Sequence, residues 1–215
     1  MANRPIYHAT TKPPFYEAIN VDFEFYPGFS LSQKQKCIKS LHEAYLDSYP
    51  DRNLLEISSK STMNLGISLS AFNLTLTNES KTFSVECAFQ GSKVFENGGP
   101  YTDLFDKTSR EAKKDERLKT SGALIQFQYF NKNYPLEPKD LFYNWLYINA
   151  LSQNKELAKQ LLCYDSFSDI EFNPQKSINC QAKAAAAFVG LSTQHILSEA
   201  LSSSENFLKL VYGNQ

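Results

Sequence analysis

Phe83–Pro100 reads FSVECAFQGSKVFENGGP, and the reading of this stretch decides how the rest of the chain is arranged. Ser84 is a residue type that caps helix N-termini, and Glu86 then falls in the first turn, where a negative charge suits the helix dipole. Gly98 and Gly99 supply a stop, and Pro100 closes off continuation. The spacing predicts a helix over Ser84–Phe95. Val85, Ala88, Phe89, Ser92 and Phe95 make one face; Cys87, Gly91 and Val94 make another. A helix apolar nearly all round is a buried helix. Yet Glu86, Gln90, Lys93 and Asn97 recur at helical spacing and form one polar stripe. A carboxylate and an amine on a buried helix must be paired or must line a wet cavity. One reading is a structural ion-pair network. The other is a pocket into which a carboxylate, an amide and an amine point.

The bulk properties bound what such a helix can serve. At 215 residues, with 42% hydrophobic and 13% aromatic content, the chain can bury a full core as one domain. A net charge of -1 excludes a protein that holds nucleic acid by bulk electrostatics. MANRPIYHATTKPP has no apolar core of a signal peptide, and no run approaches a membrane span, so a cytoplasmic protein without a membrane partner is expected. Cys37, Cys87, Cys163 and Cys180 show no paired spacing, and His8, His42 and His195 stand apart, so neither a metal site nor histidine chemistry is expected. There is no glycine-rich phosphate loop, and no cofactor is called for.

Outward from the central stretch, Met1–Pro14 reads as a loose lead-in. Val21, Phe23 and Phe25 alternate as in a strand. Ser30 or Ser32 caps a helix running to about Tyr45, whose Lys34, Lys36 and Lys39 face solvent. Leu54–Ile57 is a short strand that runs into Ser58, Ser59, Lys60 and Ser61, a plausible anion site or an ordinary polar loop. Leu69–Leu76 and Thr82–Phe83 read as hairpin strands about Asn78-Glu79-Ser80. The mixed charges of Ser109–Lys119 suit a solvated helix, and Leu124–Leu136 suits a hairpin. Pro138–Leu151 and Lys155–Leu162 read as helices, with Leu141, Phe142, Trp145, Ile148 and Leu151 on a core stripe. Tyr164–Asn179 is an acidic segment with few helix signals, and Gln181–Val189 is an alanine-rich core helix. The tail past Ser192 is amphipathic.

The spacing of Glu86, Gln90 and Lys93 resembles the signature helix of the NADAR family. Ser70, Phe72 and Asn73 resemble that family's serine-asparagine-phenylalanine segment, with Ala71 where the asparagine usually stands. LLEISSKS, LSAFNL, AFQGSKVFENGGPY, FYNWLYINAL and FSDIEFNPQKSINCQAKAAA are similar to the antitoxin branch encoded beside DarT-type DNA ADP-ribosyltransferase toxins. These segments span most of Leu54–Leu191. The resemblance implies an α+β, predominantly helical, single NADAR-like domain with a buried central helix and a small sheet. Residues 1–53 would be an N-terminal extension of a strand and a helix, packed on a catalytic core of 54–215.

For function, the resemblance implies hydrolysis of an N-glycosidic bond to ribose: removal of ADP-ribose from guanine bases in DNA, with a DarT-type toxin as cognate partner. Cleavage of a ribose C1–N bond builds oxocarbenium character, which a buried carboxylate stabilises, and a second acid protonates the leaving nitrogen or activates water. Glu86 is the candidate for the first role and Asp169 for the second. Lys93 either pairs with Glu86 or attacks a ring-opened ribose to form a Schiff base. Lys60 is a reserve amine; Ser70, Gln90 and Asn179 are expected on ribose hydroxyls or diphosphate, and Phe72 against the adenine. Two other functions compete: a non-catalytic antitoxin or ADP-ribose-binding module that docks on the toxin, and an N-glycosidase acting on a riboflavin-pathway intermediate. Neither a docking nor a binding module needs a buried carboxylate beside an amine.

Overall fold

The computed structural model describes residues 1–78 and 80–213. They form an α+β protein with more helix than strand, divided into two compact units: Met1–Ser70 together with the chain from Lys155 onward, and Ala71–Asn154.

In the first unit, β1 (Ala2–Ala9) and β2 (Tyr16–Phe23) pair antiparallel from Ala2↔Phe23 to Ala9↔Tyr16. Met1–Pro14 is therefore not a loose lead-in: Ile6, Tyr7 and His8 are buried in a sheet. Pro5 obscured this strand. It lies outside Tyr7 and His8, the positions at which β1 pairs on its second side, so its missing N–H breaks no ladder there. α1 (Leu31–Leu46) starts at Ser30, whose hydroxyl accepts the Gln33 N–H, and buries Cys37, Ile38, Leu41 and Tyr45. β3 (Leu54–Glu56) and α2 (Asn64–Ser68) follow.

The second unit opens with the hairpin of β4 (Thr75–Asn78) and β5 (Lys81–Ser84), in register from Thr75↔Ser84 to Asn78↔Lys81. The expected strand over Leu69–Leu76 is corrected: Leu69 caps the end of α2, turns follow, and extended pairing starts only at Thr75. Glu79, at the expected turn, lies outside the described residues. α3 (Val85–Gly91) begins where Ser84 accepts the Cys87 N–H, and every one of its residues is buried. It is shorter than the expected Ser84–Phe95. Lys93–Phe95 is a strand, β6, paired antiparallel with β7 (Leu124–Tyr129). The reason is local. At Gly91 a Cβ would lie 2.5 Å from the Phe105 ring, so the last turn of α3 packs against Phe105 where a side chain would clash. Ser92 sends its hydroxyl back to the Ala88 carbonyl at 2.7 Å.

Gly98 and Gly99 consequently turn a strand rather than stop a helix. Phe95 bridges to Gly98, and Gly99 has φ +90 with its Cα facing the Lys93 carbonyl, where a Cβ would sit at 2.3 Å. A 3-10 turn (Thr102–Asp106), α4 (Ser109–Lys114) and α5 (Arg117–Thr120) lead to β7 and β8 (Lys132–Tyr134). α6 (Leu141–Gln153) closes the unit. Phe142 stacks on Phe127 with centroids 4.7 Å apart, and Tyr134 and Trp145 complete an aromatic core. Fully burying each such ring contributes about 1.5–3 kcal/mol before entropy is counted.

The chain then returns to the first unit through α7 (Lys155–Leu161) and β9 (Ser166–Ser168). The acidic Tyr164–Asn179 segment is thus not all loop. β9 lies inside a four-stranded sheet ordered β2-β1-β9-β3, antiparallel to β1 and parallel to β3. α8 (Gln181–Thr193) covers this sheet, and at Gly190 a Cβ would lie 2.4 Å from the Thr10 carbonyl. Small residues on α8 let it approach the β1–β2 connection that closely. α9 (Leu197–Ala200), α10 (Ser204–Phe207) and a π-helical turn over Leu208–Tyr212 complete the described chain.

Candidate active site

The candidate side chains fall into two groups, one in each unit. In the second unit the hairpin β4–β5 delivers the chain into α3, and the Glu86 N–H donates to the Ala71 carbonyl at 2.9 Å. This fixes the Glu86 backbone in the first turn of a wholly buried helix. The residue is 6% exposed. Gln90, one turn on, donates from Nε2 to Glu86 Oε1 at 2.9 Å. The opposite charge nearest to it is the Lys113 ammonium of α4, 3.9 Å from Oε1 and also 5.0 Å from the Phe72 ring centroid.

Lys93 lies on β6, not on the helix. Its ammonium sits 4.8 Å over the Phe89 ring, and among the described residues it forms no salt bridge with Glu86. Burial pushes its pKa below the usual lysine range; the Glu86 charge opposes the shift, and Lys113 adds to it. The expectation that Glu86, Gln90, Lys93 and Asn97 form one helical stripe is corrected to Glu86 and Gln90 alone, with Lys93 arriving from the adjoining strand. Asn97 sits at the β6 turn, where its N–H donates to the Ser121 carbonyl. Phe72 is held through its carbonyl, which accepts the Ser109 hydroxyl at 2.7 Å.

In the first unit the end of β3 and the segment after β9 bring two buried carboxyls together. Glu56 accepts the Ser58 hydroxyl at 2.6 Å and the Ile170 N–H at 2.9 Å on Oε1, and the Ser168 hydroxyl on Oε2. Asp169 stands between Ser168 and Ile170. Its Oδ1 accepts the N–H groups of Glu171 at 3.1 Å and Phe172 at 3.2 Å. Burial pushes both carboxyls above the ordinary carboxylate range, and at Asp169 the like charge of Glu56 adds to the shift.

The remaining expected residues of this unit are placed as follows. Lys60 is half-buried, and its backbone N–H donates to Ser58 Oγ at 3.1 Å. Ser70 is buried, with its hydroxyl donated to the Ile67 carbonyl at 2.8 Å. Asn179 precedes α8. Its Oδ1 is buried without a hydrogen-bond donor among the described residues, and the same holds for Gln90 Oε1 in the second unit. Both amides singled out as sugar contacts thus carry an acceptor that a hydroxyl donor would complete.

Glu56 is the residue that sequence reasoning missed. The signal was present: a glutamate ending an otherwise apolar strand and followed by Ser58, Ser59 and Ser61. The hydroxyls suggested an external anion, whereas Ser58 serves an anion of the chain itself. Among the described residues no group of three His, Cys, Asp or Glu side chains could hold a metal ion, and no helix is long and apolar enough to cross a membrane.

The second unit thus sets a buried carboxylate on a short helix entered from a hairpin, with a desolvated amine on the strand that follows. The chain belongs to the DarT1-associated NADAR antitoxin family, whose model matches residues 2–215. Among curated proteins, no match is found.

Proposed function

We propose that this NADAR antitoxin is an ADP-ribosyl glycohydrolase that removes ADP-ribose from guanine bases in DNA and so reverses the action of its cognate DarT-type toxin. The observation that carries this reading is the Glu86 carboxylate: buried, held by one amide hydrogen bond, and faced by a single, mostly exposed lysine ammonium at 3.9 Å. A carboxylate kept in that condition is costly for the fold. It becomes useful when positive charge develops at C1 of a ribose against it. Asp169 supplies the proton to the departing nitrogen. Lys93 acts as the nucleophile. Its amine adds to C1 of the ring-opened sugar, the guanine nitrogen leaves with a proton, and water hydrolyses the resulting Schiff base to ADP-ribose and free lysine. Its lack of a salt bridge to Glu86 and its lowered pKa favour this role over that of a mere ion-pair partner. Gln90, Asn179 and Ser70 accept hydroxyl protons of the ribose, Lys60 contacts the diphosphate, and Phe72 packs on the adenine.

Glu86→Gln is the test, because it removes charge with little change of volume. Release of ADP-ribose from modified DNA by purified protein is expected to fall by roughly a hundredfold or more. Thermal unfolding is expected to stay cooperative, and toxin-expressing cells are expected to die. Full rescue by the variant without ADP-ribose release would replace the enzyme with a docking antitoxin.

A further inference from the structure

We infer that Glu56 is a positioning residue for the proposed reaction: it grips the segment on both sides of Asp169 and keeps Asp169 as the carboxyl that bears the proton. This rests on the reading of Asp169 as general acid. The grip is direct, since Glu56 accepts from the Ser168 hydroxyl before Asp169 and from the Ile170 N–H after it. With Ser58 added, three donors converge on Glu56, and donors favour the charged form of a carboxyl. Asp169 is furnished differently. Both of its donors meet Oδ1, and among the described residues no hydrogen bond reaches Oδ2. Of two adjacent carboxyls that cannot both ionise cheaply, the better-furnished one takes the charge and the other keeps the proton.

The groups around Asp169 act in the same sense. Glu56 on β3 and Glu171 just downstream are acidic, and Tyr7 on β1 and Cys180 at the start of α8 are held neutral by burial. Two cations stand in this neighbourhood among the described residues: Lys34 of α1, engaged by Glu171 at 2.8 Å, and Lys183 of α8, whose charge bears on Cys180. His42, also on α1, reaches Ser168 Oγ at 2.8 Å, yet burial lowers its pKa to about 4, so near neutral pH it brings no positive charge to cancel Glu56. Burial and the Glu56 charge, the two largest influences on Asp169, thus act in the same direction, against the two backbone N–H donors.

The full chain, labelled with 13C at aspartate and glutamate carboxyls, reads this directly. In the wild type, Asp169 is expected to titrate above Glu56 and well above the ordinary range. In Glu56→Gln its midpoint is expected to fall by about one pH unit or more. The alkaline limb of kcat for ADP-ribose release should shift the same way, with KM nearly unchanged. Glu171→Gln, a change at a half-exposed group, should move the midpoint less. An Asp169 midpoint below that of Glu56 in the wild type overturns the inference even if no variant folds. So does a lower kcat in Glu56→Gln with midpoint and pH profile unmoved, since that is a structural role only. A raised midpoint in a wild type that releases no ADP-ribose would instead remove the enzymatic reading, leaving the ordering of the two carboxyls intact.

Discussion

Glu56 and Glu86 are both buried glutamates at the junction of a strand with the element that follows it, yet the protein treats them in opposite ways. Glu56 receives two hydroxyls and a backbone N–H. Glu86 receives a single side-chain amide, and its nearest cation stands off at 3.9 Å on a lysine whose side chain is 58% exposed. The first arrangement lowers the cost of a charge that stays where it is. The second leaves a charge only partly served, as a group must be if a substrate is to complete its environment. Degree of satisfaction, rather than burial, separates the two carboxylates.

The largest expected effect tests that division through stability. Glu56→Ala strands three donors in the core and is expected to cost about 3–5 kcal/mol in denaturant unfolding. Glu86→Ala should cost well under half of that. Equal losses would erase the distinction. Next in size is the acid limb of stability. His42 has a folded pKa of about 4 against 6.5 when unfolded, so below 6.5 the unfolded chain takes a proton that the folded chain refuses. Stability is therefore lost as pH falls from 6.5 towards 4, by up to about 3 kcal/mol, and His42→Asn should flatten that slope. Glu56 and Asp169 run the other way. Their raised values mean that the folded state keeps protons longer, so their contribution diminishes as pH rises through the carboxylate range and beyond.

On the Glu86 side, Lys93→Met is expected to abolish ADP-ribose release, and borohydride should trap a sugar adduct on the wild type alone. A residual rate with no adduct would return Lys93 to the role of positioning Glu86. The smallest effects are shifts in the Lys93 titration, followed by NMR of reductively 13C-methylated protein. Glu86→Gln removes a charge that raises the Lys93 pKa and should move it down; Lys113→Met removes one that lowers it and should move it up. Shifts of the same sign would mean that the two charges do not bear on Lys93 as described.

Much of this was legible in the residues. Ser84 as a cap and Glu86 in a wholly buried first turn followed from side-chain chemistry alone, as did Ser30 ahead of α1; the stripe expected on α6 is buried at Leu141, Phe142, Ile148 and Leu151, but Trp145 is only partly buried and the helix is buried nearly all round. The extent of the central helix did not, because apolar residues at helical spacing also suit a short buried strand. Val94 and Phe95 favour a strand, and Asn97-Gly98 is a hairpin signal, whereas the helical reading took the glycines as a stop. The site residues were legible where a side chain stands alone against its background, as Glu86 does. Glu56 was not, since its meaning depends on Ser168 and Ile170, more than a hundred positions away, and local pattern carries no trace of such pairing. β1 and β9 were missed for the same reason: each is a strand by virtue of its neighbours in the sheet.

The position of β9 inside that sheet also governs when the protein can fold during its own synthesis. Ala71–Asn154 is one uninterrupted stretch and has all of its partners once Asn154 has left the ribosome. The sheet of the other unit cannot close until Ser166–Ser168 emerges to pair with β1 and β3. At elongation rates of about 5–20 residues per second, β1 and β3 wait on the order of ten seconds for that strand. Their unpaired edges are open to other chains meanwhile. A unit built this way stays incomplete until Ser168 has emerged, well after the residues of the other unit are all made.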